Sequence, residues 1–132
     1  MASIRREIQV AASAAAIWDA VRDVGEIHRR LVQGFVTDCR LDGDARIVTF
    51  RNGIVAREVI VDLDEAARRI VWSASGGRLT HHNASLQVFV EDTTHSRLVW
   101  IADLLPNAMA EPIGAMIDEG MRAMKRTLEA QQ

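Results

Sequence analysis

The sequence predicts an α+β domain in which one antiparallel sheet wraps a single long C-terminal helix. Three features predict it: an amphipathic run from Ala108 to Glu129, a middle region rich in β-branched residues and cut by recurring turn signals, and an order that gathers most strands before the last helix. Strands joined by short loops pair antiparallel, and strands segregated from helices mark an α+β rather than an alternating α/β chain.

The first strand follows from Ile4, Arg6, Ile8 and Val10 alternating with Ser3, Arg5, Glu7 and Gln9, which gives one mostly apolar face. Ser13 has the chemistry of an N-cap, and Ala14 to Arg22 follows it with Ile17, Trp18 and Val21 on one side. Gly25 interrupts that run before a second short helical piece, Glu26 to Leu31. Turn signals at Asp42-Gly43-Asp44, Asn52-Gly53, Asp64-Glu65, Gly76-Gly77 and Glu91 to His95 then delimit six strands: Val36 to Leu41, Ala45 to Arg51, Ile54 to Leu63, Arg69 to Ser75, Thr80 to Val90 and Arg97 to Leu105. Asn52-Gly53 is the strongest hairpin signal among them. No internal repeat, low-complexity segment or linker divides the chain, so residues 1–132 read as one domain.

In the C-terminal run, Ile113, Met116, Ile117, Gly120, Met121, Met124 and Leu128 recur at spacings of three and four, the period of one helix face. Asp118, Glu119, Arg122, Lys125, Arg126 and Glu129 occupy the other face, with Asp118 and Arg122 spaced for an i,i+4 pair. Pro112 suits only a first turn, so the helix starts no later than Glu111. It is roughly 30 Å long at 1.5 Å per residue. Every methionine after the first falls in this segment, at Met109, Met116, Met121 and Met124. Met fills irregular or changing space, which suits either an adaptable core or the flexible wall of a ligand cavity.

Composition excludes several function classes. Apolar residues make up 48% and charged residues 26% of the 132, and a formal charge of -2 offers no basic footprint for nucleic acid. The one cysteine, Cys39, rules out an intrachain disulfide and fits a reducing compartment. Arg5, Arg6 and Glu7 near the start leave no apolar signal region, and no stretch could span a membrane, so a cytoplasmic location is expected. No residue set calls for a cofactor.

Four segments carry a resemblance. They are SAAAIWDAVRD (Ser13 to Asp23), VAREVIVDLD (Val55 to Asp64), Gly76-Gly77 leading to His81-His82-Asn83-Ala84-Ser85, and SRLVWIADLLP (Ser96 to Pro106). In this order they resemble the START/Bet v 1-like (SRPBCC) superfamily, within it the polyketide cyclase/dehydrase-like branch. The resemblance implies a helix-grip fold: a seven-stranded curved antiparallel sheet around the C-terminal helix, two short helices after the first strand, and an internal cavity for a small hydrophobic or amphipathic molecule. It implies no common chemistry, since such folds carry lipid transport, reception and catalysis alike.

Period-two alternation sets His82, Ala84, Leu86, Val88 and Val90 on one strand face and His81 with Asn83 on the other. Adjacent histidines on opposite faces cannot chelate one metal ion, and none is expected. His82 turned inward is either a satisfied core histidine or a site residue. Trp72 and Trp100 alternate with apolar neighbours and face in, as core or cavity wall, whereas Trp18 reads as plain packing. Glu58 is contested. Residue types in its strand favour burying Val55, Val59, Val61 and Leu63, which turns Glu58 and Asp62 to solvent. The resemblance implies the reverse, because the acidic residue of a similar motif in plant abscisic acid receptors lines the ligand cavity. An inward Glu58 leaves an outer apolar stripe of Val55, Val59 and Val61, from which a homodimer is expected.

The expected ligand-binding set is therefore Glu58, Trp72, His82, Ala84, Leu86, Trp100, Ile113, Met116, Ile117, Met121 and Met124. Three readings stay open. The first is binding of a polyketide-, lipid- or isoprenoid-like molecule. The second is a cyclase or dehydratase with Glu58 and His82 as catalytic acid and base. The third is a protein-interaction module with a vestigial cavity.

Overall fold

A computed structural model describes all residues, Met1–Gln132. Its elements run β1 (Ala2–Val10), α1 (Ala14–Arg22), α2 (Ile27–Arg30), β2 (Val36–Asp42), β3 (Ala45–Phe50), β4 (Val55–Asp64), β5 (Arg69–Ser75), β6 (His81–Val90), β7 (Ser96–Leu105) and, after one 3₁₀ turn, α3 (Ala110–Ala130). The seven strands form one antiparallel sheet ordered β1-β7-β6-β5-β4-β3-β2, with α3 against its inner face. This is the α+β helix-grip architecture expected. No helix is long and apolar enough to cross a membrane.

Local chemistry accounts for the element ends. Ser13 Oγ accepts from the Ala16 N–H at 3.2 Å and caps α1. Trp18 is buried as expected, but it also donates from Nε1 to Glu65 at 2.6 Å, and Arg22 reaches the other Glu65 oxygen at 2.8 Å. One carboxylate in the β4–β5 turn thus fastens α1. Pro112 lies in the first turn of α3, where its missing N–H has no partner to lose.

The dry stripe of α3 is buried through Ile117, Met121, Met124 and Leu128. Gly120 brings the helix close to the sheet, since a Cβ there would stand 3.0 Å from the Trp100 ring and 3.2 Å from Phe35. The expected Asp118–Arg122 pair does not form. Asp118 instead accepts from Arg6 Nε at 2.6 Å, because the concave sheet brings β1 alongside that flank of the helix.

Two backbone irregularities decide what faces inward. At Asn52-Gly53 the loop holds three residues, Arg51 to Gly53: Phe50 donates to the Ile54 carbonyl at 2.8 Å, and Gly53 takes a positive φ of 89°. A two-residue loop would set Arg46 opposite Val59, whereas the extra residue sets it opposite Glu58. In β4 a bulge at Val61 shifts the register between Ile60 and Asp62, so Glu58, Ile60 and Leu63 turn toward the interior although their spacing is uneven. Glu58 is 8% exposed. The residue-type reading that turned it to solvent with Asp62 is overturned, because the bulge resets the alternation between the two acids. The outer face of β4 is not a continuous valine stripe either: Arg57 interrupts it and pairs with Asp42 at 3.3 Å. Val55 and Val61 are exposed but separated, which leaves the expected homodimer without support.

Candidate functional site

Between the concave sheet and the N-terminal half of α3 lies a pocket of about 420 Å³. Of its 30 lining residues, 22 are hydrophobic. Such a lining holds an apolar body and leaves orientation to the few polar groups present. From the sheet come Glu58, Trp72, His82, Leu86 and Trp100, and from α3 come Ile113, Met116, Ile117 and Met124. The structure therefore brings together nine of the eleven expected residues.

Ala84 and Met121 are buried but do not line the pocket, which corrects both. Ala84 pairs between Trp72 and Ala102, and a methyl group there is too short to pass the indole beside it. On α3, Met121 lies on the flank shared with Gly114, which meets Ile4 and Arg6 of β1. The pocket opens on the opposite flank, at Ile113 and Met116.

The polar groups are set by strand register. Arg46 and Glu58, directly opposite on β3 and β4, form an ion pair with Nε to Oε1 at 2.8 Å. Their side chains are only 6% and 10% exposed. Arg46 also donates from Nη1 to the Val24 carbonyl at 3.4 Å, and its guanidinium stands 5.7 Å from the Trp72 ring centroid. The Trp72 and Trp100 rings meet edge to face with centroids 5.7 Å apart. Trp100 Nε1 is buried without a hydrogen-bond partner. The Cys39 thiol reaches the same Val24 carbonyl at 3.6 Å, and burial pushes its pKa up despite Arg46, so it stays a protonated thiol with little nucleophilic character.

Arg46 escaped the sequence reading. Its only signal was membership of the Val48 and Phe50 face of β3, which becomes decisive only once the hairpin loop length is known.

His82 occupies a gap in the sheet. The β5–β6 ladder runs from Arg69 opposite Gln87 to Trp72 opposite Ala84 and stops there, although both strands continue. Beyond it the Ala74 N–H donates to His82 Nδ1 at 3.0 Å, and Ser73 Oγ donates to the His82 carbonyl at 2.6 Å. The parted strand ends, with Gly76, Gly77, Arg78 and Leu79, form one rim of the pocket. His81 turns outward. Nowhere do three His, Cys, Asp or Glu side chains come together as a metal site.

Because Nδ1 accepts a backbone hydrogen bond, the neutral ring carries its proton on Nε2. Burial pushes the His82 pKa below its ordinary value of 6.5, the Glu58 charge opposes that shift, and His81 adds to it. A histidine with a lowered folded pKa contributes stability that is present above pH 6.5 and declines as the pH falls toward the folded value. Thermal melts between about pH 8 and pH 5 should show that decline. His82→Ala should melt lower at every pH, having orphaned the Ala74 N–H, and with a shallower decline; an unchanged slope would remove His82 as its source.

Residues 1–129 match the family described as polyketide cyclase / dehydrase and lipid transport. The chain belongs to that family. Among solved structures, a protein from Thermobifida fusca is 31% identical, with 98% of this chain and 91% of that one covered at a TM-score of 0.76. A START superfamily protein from Mycobacterium smegmatis covers 98% and 95% at 14% identity and a TM-score of 0.74. Truncated norcoclaurine synthase from Thalictrum flavum covers 97% and 91% at 18% identity and a TM-score of 0.72. The last two show that this polyketide cyclase / dehydrase and lipid transport family member shares the START and Bet v 1-like fold. No curated protein matches it in sequence.

Proposed function

We propose that the protein binds a small hydrophobic or amphipathic molecule, polyketide-, lipid- or isoprenoid-like, in the pocket between the sheet and α3. The observation that carries this reading is the pocket itself: about 420 Å³ of mostly apolar space, at the size of small-molecule sites and with only a few polar groups on its wall. Family membership supports the same class of ligand, since lipid transport is part of the family's description.

Native mass spectrometry of the protein as purified from cells tests it, together with titration of a neutral apolar dye monitored through Trp72 and Trp100. A small-molecule mass travelling with the protein, or saturable dye binding that changes tryptophan emission, is the expected result. A bare protein mass with no dye binding at high micromolar concentration would sink the reading.

Catalysis on the bound molecule is the second reading. His82 favours it, as an imidazole with one nitrogen held by the backbone in the wall of an apolar pocket. A norcoclaurine synthase point mutant in complex with a transition state analogue has the same fold, which supports chemistry on this scaffold. Glu58 is a poorer candidate for a free acid or base, because Arg46 already occupies one of its oxygens.

A further inference from the structure

The ion pair in the pocket wall has a consequence for what can enter. Arg46 and Glu58 are both buried, and their opposite charges stand in direct contact. His82 adds no charge, because a proton on Nδ1 would turn it against the Ala74 N–H that it now accepts. The only other charged residue in the lining is Arg78, which is exposed at the rim and screened by water. The enclosed part of the wall is therefore neutral overall, yet it keeps unused hydrogen-bonding capacity. Arg46 Nη2 meets no protein acceptor, Glu58 Oε2 meets no protein donor, and the His82 Nε2–H has no protein partner.

We infer that the ligand is electrically neutral, with an apolar body and a hydroxyl or carbonyl group that docks on Arg46, Glu58 and His82, and that carboxylates and other anions are excluded. This rests on the pocket-binding reading above and narrows it to a ligand class. A hydroxyl can accept from Arg46 or His82 while donating to Glu58, and a carbonyl can accept from either donor. A carboxylate would have to share Arg46 with Glu58, placing a second negative charge beside the first where little water can screen it. A cation would meet Arg46 in the same way. Neutral polar groups meet no such penalty.

Matched probes test the inference at neutral pH: 1-decanol and decanoate, each displacing the neutral dye N-phenyl-1-naphthylamine from the protein. Decanoate should compete at least about tenfold more weakly than 1-decanol. Glu58→Gln removes the negative charge while keeping the shape, leaving Arg46 uncompensated, so the order should reverse in favour of decanoate. The double variant with Arg46→Gln and Glu58→Gln is neutral again and should return to preferring 1-decanol. Circular dichroism of each variant checks folding, and if the single variant does not fold, the wild-type order and the double variant still decide. Dye binding with decanoate equal to or tighter than 1-decanol in the wild type overturns the inference alone. Absence of both dye binding and any co-purified mass overturns the pocket reading, and the inference with it.

Discussion

Glu58→Leu, made alone, should lower the folding free energy by about 3 to 5 kcal/mol, while the double replacement Arg46→Met with Glu58→Leu should recover most of that loss. The two side chains are nearly inaccessible and in contact at 2.8 Å, so removing one leaves the other as an uncompensated charge in a largely apolar surrounding. Removing both takes away the desolvation penalty along with the attraction, and hydrophobic residues of similar length can fill the space against Trp72. Urea denaturation of the wild type, both single variants and the double variant measures the coupling directly. Additive single and double effects would show that the pair is not desolvated in solution. The same cycle separates stability from recognition. If the pair serves the ligand rather than the fold, the double variant should be stable and should bind the natural occupant poorly.

Leu98→Ala should be the other severe change, with a loss of about 2 to 5 kcal/mol. Leu98 is 0% exposed on β7 and does not line the pocket, so truncation opens a void in close-packed surroundings. Met116→Ala on α3 provides the contrast. Its side chain already borders open space, so deletion enlarges an existing cavity and should remain below the lower end of that range. The change should show up instead as an altered size preference for ligands. Equal losses in the two variants would mean that the pocket is filled by packing in solution.

Nearly all of the architecture was legible in the residues, because hydrophobic periodicity and turn chemistry act locally. Ser13 capping α1, the turns at Asp42 to Asp44 and Glu91 to His95, and the stripe from Ile113 to Leu128 each carry their signal within a few positions. The inward path of His82 was legible for the same reason, since β6 keeps its alternation unbroken from His82 to Val88. Glu58 was not, because two one-residue events govern it: the third loop residue at Arg51 and the bulge at Val61. Neither has a compositional signature strong enough to override the valines around it. Arg46 was missed for a related reason, since a buried arginine becomes intelligible only when its partner carboxylate and their shared register are both known. Ala84 and Met121 show the remaining gap: periodicity assigns a face, but which part of that face meets open space depends on neighbours far away in sequence.

The sheet order has a consequence for how the chain can assemble. Strands β2 to β7 follow one another as a meander, so each can pair with a neighbour just made and close a short loop at small entropic loss. β1 is different, because Ala2 pairs with Leu104 and Val10 with Ser96, at nearly the opposite end of the chain. During synthesis the earliest made of these seven strands is therefore the last that can find its partner. Until then its apolar residues Ile4, Ile8 and Val10 have no sheet to join. The largest loop-closure entropy in the sheet therefore falls on closing β1 against β7.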